Sequence, residues 1–377
     1  MLKIYFTASM TSGGGLEENY RHIIACLEKS GIMLISGQQI IDQRLSAQEA
    51  QLSSGQIFKR ERKRIDEADV VISEVTIPST GVGGEIVYAL TQKKPVLALV
   101  FKENEDKISP MVEGNPSENL FLEHYNFDNL HIILKHFITH MRRVRNRKGK
   151  LIVIDGADGS GKTTQATLLV DFLKEKKIPV KYFDFPRYYT SFHGKTIAQF
   201  LRGEFGQLNT ISPYLISLAY ALDRASVKEE MDEFLEKGGV IVCNRYATST
   251  MAHQTARLKN EKEKSIFLKW IYELEYKIHK IPKEDIVIYL TVPWKIGTRL
   301  ISKKEKRNYL QGNVVDIAER DERHRIESEK MYQWLARKYN HWITIECVAH
   351  EKMLSPQKIH TKIVNRVKNM FLICDEI

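Results

Sequence analysis

The stretch Gly156-Ala157-Asp158-Gly159-Ser160-Gly161-Lys162-Thr163 satisfies the spacing G-x-x-x-x-G-K-[ST], between an apolar strand pattern (KLIVID) and an apolar-periodic helix pattern (QATLLVDFLKEK). These residue types suit a polyphosphate. Glycines let backbone N–H groups and a helix N-terminus close around the anion, Lys162 can reach β and γ oxygens, and the Thr163 hydroxyl, next to Thr164, can ligate Mg2+. A second stretch, ADVVISEVTIPSTGVGGEI, reads as a buried strand, a loop holding Ser79, Thr80, Gly81 and Gly83, and a helix that starts near Gly83. Glu85 then falls in the first helical turn, where the dipole favours its ionised form, and a carboxylate at such a crevice can act as a nucleophile. From position alone, a helix cap is the simpler reading of Glu85.

Four stretches follow the phosphate loop: DFPRYY (Asp184–Tyr189), LAYALDR (Leu218–Arg224), NRY (Asn244–Tyr246) and ISKKEKRNYLQGNVVDIAERD (Ile301–Asp321). In order and spacing they resemble thymidylate kinase over residues 150 to 350. That resemblance implies ATP and Mg2+ as cofactors and dTMP as acceptor. It implies that Tyr220 stacks on the base while Arg224 hydrogen-bonds it, a pairing of planar ring and guanidinium fork that suits a pyrimidine. Phe185 and Pro186 would shape the pocket floor, Arg187 and Tyr188 would lie near the acceptor phosphate, and Arg245 would hold it. Asp158 would orient the sugar or a metal-bound water. Lys303, Lys304, Lys306 and Arg307 look like a basic lid that neutralises the transferring phosphoryl group. Thr250 and His253 stand where members often place base- and sugar-contacting residues. Asn244 departs from the family's aspartate, so metal binding is expected to lean on Thr163, Asp158 and Glu319.

In the first half, IYFTASMTSGG, ADVVISEVTIPSTGVGGEI and NLFLEHYN resemble the 2′-deoxynucleoside 5′-monophosphate N-glycosidases, relatives of the nucleoside 2-deoxyribosyltransferases, across residues 1 to about 140. The resemblance implies that Glu85 is the nucleophile, with Asp69 as the carboxylate that protonates or positions the leaving base. Tyr5 would assist near the sugar, and Ser9, Gly14 and Ser79, with Gly81 and Gly83, would hold the 5′-phosphate. Thr11 stands where members often carry Arg. Relatives complete each site from a partner subunit, which implies a homodimer with Asn119 as the contributed residue. Three alternatives remain: base exchange by a deoxyribosyltransferase, a nucleotide-sensing module without catalysis, and a basic nucleic-acid-binding NTPase.

The elements that must position these residues are legible as alternation. Short β-rich runs (LKIYF, IMLI, DVVISEV, PVLALVF, LFLEHY; then KLIVID, VKYFDF, GVIVC, DIVIYL, HWITIEC) are separated by helical patterns from end to end. This predicts an α/β protein of two doubly wound parallel-sheet domains, a Rossmann/flavodoxin-like one over 1–140 and a P-loop NTPase over 150–377. The run MRRVRNRKG, 141–149, reads as a solvated basic linker.

The net charge of +10 is unevenly spread. Residues 1–140 carry 14 Lys+Arg against 18 Asp+Glu, 141–150 carry six basic residues and no acid, and 151–377 carry 37 against 29. The basic excess suits phosphate-bearing partners, and a run without interleaved aromatics argues against nucleic acid. Cys26, Cys243, Cys347 and Cys374 form no Cys-x-x-Cys pair, so neither zinc nor a disulfide framework is expected. No apolar run approaches the ~18 residues of a membrane span, and a cytoplasmic enzyme is expected.

Overall fold

The computed structural model describes residues 1–9, 15–42, 44–45, 51–301, 308–311 and 315–371. Gly14, Thr11 and the expected lid residues Lys303, Lys304, Lys306 and Arg307 lie outside them. The chain divides into two compact units, Met1–Arg145 and Asn146–Ile377.

Each of the ten β-rich runs contributes a strand. The first unit carries β1 (Lys3–Thr7), β2 (Met33–Leu34), β3 (Val70–Glu74), β4 (Val96–Phe101) and β5 (Leu120–Tyr125), all parallel, in the order β2-β1-β3-β4-β5. Every residue of β3 and β4 is buried, as expected where helices cover both faces of a sheet. Side chains alternate between the faces: Ile4 and Phe6 join one apolar cluster, Tyr5 and Val71 the other. Tyr5 is thereby aimed at the face on which helices Ser54–Glu67 and Thr80–Thr91 supply Ile65, Val82 and Ile86. The strand order reverses between β1 and β3, and ligands of open α/β sheets bind at such a switch point, beyond the carboxyl ends of the strands.

The second unit repeats the architecture with β6 (Lys150–Gly156), β7 (Val180–Asp184), β8 (Val240–Asn244), β9 (Ile286–Thr291) and β10 (Trp342–Glu346), again all parallel, in the order β10-β9-β6-β8-β7. The phosphate loop leaves the carboxyl end of central β6 and enters helix Lys162–Glu175, whose Ala166, Leu169, Val170 and Leu173 pack on the sheet at helical spacing.

The basic run expected to be a linker is helical as far as Asn146. Helix Leu130–Asn146 buries Leu130, Leu134, Phe137, Ile138 and Met141 along one stripe, and that stripe continues the helix into the arginines. Arg142 donates to the carbonyls of Ser30 and Gly31, both at 2.7 Å, and Arg145 pairs with Asp69 at 2.8 Å. Arg147, in the second unit, binds Asp285 and the carbonyl of Lys283. Each of these arginines bonds within its own unit. Among the described residues, Cys26, Cys243 and Cys347 are free thiols, no cluster of three or more His, Cys, Asp or Glu could hold a metal, and no helix is long and apolar enough to cross a membrane.

Candidate active sites

In the second unit, positive φ at Gly156, Gly159 and Gly161 shapes the loop. Closeness adds a second reason for glycine: a Cβ at Gly159 would stand 2.5 Å from the Gly297 carbonyl, and one at Gly156 2.7 Å from that of Leu290. No side chain caps helix Lys162–Glu175, so its first N–H groups are left to an anion. Lys162 folds onto the loop and donates to the carbonyls of Gly156 (3.0 Å) and Ala157 (2.9 Å). Ser160 is fully buried, and Thr163 and Thr164 are exposed at the helix start. Below the loop Asp155, buried, accepts from Thr248 (2.7 Å), Ser249 (2.7 Å) and Tyr332 (2.6 Å), which fixes helix Ala247–Thr255 against β6.

That helix contributes Ser249, Thr250 and His253 to the wall of a cavity of about 290 Å³ that is also lined by Asp158, Lys162 and Thr163 and by Phe200, Leu201, Tyr220 and Arg224. Arg224 is buried and held by a fully buried carboxylate, Glu275, while its Nη2 donates to Thr250 Oγ1 at 3.0 Å. Burial alone would lower the Arg224 pKa, but the Glu275 charge raises it further and the guanidinium stays cationic. Arg245, with φ of 62°, pairs with Asp158 and contacts His253 Nε2 at 3.1 Å. Burial and the neighbouring Arg245 hold His253 well below its usual pKa, and burial pushes His324 down to about 4, so both rings are neutral. Tyr188 stacks on Tyr309 with centroids 4.0 Å apart at the same cavity, and Phe185 and Pro186, joined by a cis peptide, form part of its wall.

Two expected residues stand elsewhere. The Arg187 guanidinium is not part of the cavity wall; it binds the Asp223 carboxylate at 3.2 Å and the Ser226 hydroxyl, clamping the end of helix Pro213–Ala225. Glu319 serves a capping box, accepting from Asp316 N at 3.2 Å, and it is Asp316 that lines the cavity. Asp184 lines the cavity as well. The oxygens of Thr163, Asp158 and Asp184 are hard donors that fit Mg2+, which takes one or two carboxylates and shares its remaining positions with water and phosphate.

In the first unit, Glu85 lies on helix Thr80–Thr91, which begins three residues earlier than expected, so the carboxylate belongs to the second turn rather than the first. Its environment therefore comes from packing and not from the dipole. Burial raises its pKa, hydrogen bonds from Thr7 and Tyr5 pull it down, and nearby Glu61 raises it. Glu85 Oε2 is buried and has no partner among the described residues. The single Tyr5 hydroxyl proton lies between two carboxylates, Glu85 and Glu61, with Glu61 Oε2 at 2.9 Å, and burial followed by those two carboxylates pushes the Tyr5 pKa up. Glu61 is itself fixed between Arg60 (2.6 Å) and Arg64 (3.0 Å).

Asp69 does not join this group. It precedes β3, at the amino end of the sheet, where it accepts from Lys3 N (2.8 Å) and pairs with Arg145. The carboxylate that shares Tyr5 with Glu85 is Glu61, hidden in the sequence within the charged run KRERKR. Asn119 also lies at the amino end, its carbonyl accepting from Val96 N. Ser9 is buried just past β1, Ser79 precedes helix Thr80–Thr91 without capping it, and Gly81 and Gly83 lie in the first turn of that helix.

Comparison with known proteins decides the identity of both units. The family model for thymidylate kinase matches residues 154–359 and that for nucleoside 2-deoxyribosyltransferase matches residues 4–121. The chain belongs to both families. The thymidylate kinase unit is 30% identical over 227 residues to a probable thymidylate kinase of Pyrococcus abyssi, covering 60% of this chain and 98% of that one. It is 35% identical over 147 residues to the thymidylate kinase of Plasmodium falciparum, covering 39% of this chain and 63% of that protein. The deoxyribosyltransferase-family unit is 32% identical over 125 residues to a putative 2′-deoxynucleoside 5′-phosphate N-hydrolase 1 of Thermofilum pendens, covering 33% of this chain and 86% of that one. The protein is therefore an enzyme that couples a kinase unit to a glycosidase-type unit in one polypeptide.

Proposed function

We propose that the second unit phosphorylates dTMP to dTDP with ATP and Mg2+, and that the first hydrolyses the N-glycosidic bond of a 2′-deoxynucleoside 5′-monophosphate to free base and 2-deoxyribose 5-phosphate. For the kinase, the supporting observation is one cavity that runs from the phosphate loop to the Tyr220–Arg224 pair. The loop N–H groups and Lys162 hold the donor phosphates, and Arg245 holds the acceptor phosphate. An acceptor oxygen attacks the γ-phosphorus, the bond to the β–γ bridging oxygen breaks, and ADP leaves. Lys162 and the donor ends of the loop stabilise the charge that develops, and Mg2+, which Thr163, Asp158 and Asp184 would hold, would supply further positive charge there when bound.

For the hydrolase, the observation is the unpartnered Oε2 of Glu85 beside a second carboxyl linked through Tyr5. Glu85 Oε2 attacks C1′, the C1′–N bond breaks, and the base leaves with that electron pair and a proton delivered from the Tyr5–Glu61 side. Water then attacks C1′ of the glycosyl ester, gives its proton to the same side, and frees Glu85. Ser9 and Ser79 with the free N–H groups at Thr80–Thr91 bind the 5′-phosphate. Asn119, at the far end of its own sheet, serves the site of a second copy in a homodimer, and sedimentation of the full chain at micromolar concentration checks that state.

The test of both activities is one incubation of the full chain with each deoxynucleoside monophosphate, with and without ATP·Mg2+, following base and diphosphate together. Base release without an acceptor base, and diphosphate only with ATP, are expected. Base release only when a second base is supplied would convert the first unit to a transferase, and binding without consumption would make it a sensor.

A further inference from the structure

Strands β7 and β8 are parallel and in register, so Asp184 ends one directly across from Asn244, which ends the other. Asn244 Nδ2 donates to Asp184 Oδ1 at 2.8 Å and to Thr163 Oγ1 at 3.1 Å. One amide nitrogen thus gathers a carboxylate and the phosphate-loop hydroxyl on the cavity wall that also includes Asp158. The Asn244 side chain is 5% exposed, yet its Oδ1 is buried without a partner among the described residues. An orphan acceptor at a phosphate site costs free energy unless a ligand meets it.

Charge explains why position 244 is an amide. A carboxylate there would sit against Asp184, and two like charges at hydrogen-bond distance drive one of them to take up a proton. Only one of the paired strand ends can carry an ionised carboxylate at no such cost, and in this chain it is Asp184. The aspartate expected in front of Arg245-Tyr246 has a substitute one strand away.

We infer that Asp184 supplies the carboxylate that holds Mg2+ beside Thr163, and that Asn244 is a neutral positioning residue that aims both oxygens at the ion and leaves its own Oδ1 as a further acceptor. This rests on the ATP·Mg2+ reading of the kinase unit. The donor set is chemically apt: Mg2+ prefers hard oxygens and is held by one or two carboxylates plus substrate phosphates.

The test uses the full chain, a non-hydrolysable ATP analogue and Mn2+ as a paramagnetic stand-in for Mg2+, with free Mn2+ read by electron paramagnetic resonance. Asp184→Asn is expected to weaken Mn2+ binding roughly tenfold while leaving the affinity for ADP in EDTA within about twofold, the size of effect typical of metal-site residues. Moving the carboxylate back in Asp184→Asn/Asn244→Asp is expected to restore Mn2+ affinity. Unchanged Mn2+ affinity in Asp184→Asn, a parallel loss of metal-free ADP binding, or no restoration in the double variant would each overturn the inference. Failure of the unsubstituted protein to bind the analogue at all would instead overturn the kinase reading.

Discussion

The two sites handle the same class of ligand with opposite electrostatics. The kinase cavity is organised around cations, Lys162, Arg224 and Arg245, two of which are held in place by carboxylates that do not themselves need to touch the acceptor. The hydrolase crevice is organised around carboxylates, Glu85 and Glu61, with Arg60 and Arg64 in the supporting role. The difference follows from the transition states. Phosphoryl transfer spreads negative charge over the moving group, whereas cleavage of an N-glycosidic bond leaves positive charge on the sugar. The charge asymmetry between the two halves of the sequence has the same sign as this division.

The comparison breaks first at Glu85. Glu85→Ala removes the unpartnered carboxylate oxygen assigned as nucleophile, so base release is expected to fall on the order of 10⁴-fold or more, while diphosphate formation stays at the unsubstituted rate. Chromatographic quantification of free base and of dTDP in the same reaction decides it. Base release unchanged by the substitution would remove the nucleophile from this reading without touching the fold.

A sharper test separates the two candidate partners of Glu85. Glu61→Gln is expected to slow base release by roughly 10² to 10⁴, the usual worth of a general acid–base, and to flatten one limb of the pH–rate profile. Asp69→Asn is expected to leave that profile's shape intact, because Asp69 faces Arg145 at the other end of β3. A flattened limb in Asp69→Asn and not in Glu61→Gln would reverse the assignment.

Why Asp69 looked the better candidate shows where a sequence stops being legible. The ten strands of the two parallel sheets, the phosphate loop, Tyr220 with Arg224, and Glu85 rest on local signals: apolar runs, glycine spacing and short motifs. The residues that were missed are tied to the site by contacts between distant segments. Tyr5 and Glu61 are 56 positions apart, Arg224 and Glu275 51, Asn244 and Asp184 60, and Asp155 and Tyr332 177. Such pairs depend on strand register and on which helix face meets which strand. Glu61 sits among five basic neighbours in KRERKR and reads as part of a solvated face, and Glu275 in ELEYK has no periodic signature. Helix boundaries fail for a related reason: Thr80 begins its helix because the chain packs there, through Val82 and Ile86, although Gly81, Gly83 and Gly84 all disfavour helix.

On the kinase side, Glu275→Ala leaves the Arg224 guanidinium buried without its counter-charge, which costs roughly 3 to 5 kcal/mol of stability. All four tryptophans, Trp270, Trp294, Trp334 and Trp342, lie in the second unit. Urea unfolding followed by tryptophan fluorescence therefore reports that unit alone. A midpoint equal to that of the unsubstituted protein would mean that Arg224 is solvated well enough to do without Glu275.

The smallest effect expected belongs to a carboxylate in the first unit that no step above requires. Glu74 is fully buried at the end of β3, accepts from Thr76 and, at 3.2 Å, from Tyr125, and leaves Oε2 unpartnered. Burial raises its pKa to about 7 from the ordinary 4.5, against the pull of those hydrogen bonds. A folded-state pKa above the unfolded one means that the native state holds the extra proton between these values. Its contribution is thus present in full below pH 4.5 and is lost as pH rises through 7. At about 1.4 kcal/mol per pKa unit the loss approaches roughly 3 kcal/mol. Glu74→Gln keeps the shape of the protonated carboxyl and has no charge to gain. Measured by far-UV circular dichroism in urea, with the tryptophan-reported transition subtracted, the first unit of the unsubstituted protein is expected to weaken from pH 5 to pH 8 by up to that amount more than the variant. Parallel pH dependences in the two proteins would show that Glu74 is ionised in the native state across the whole range.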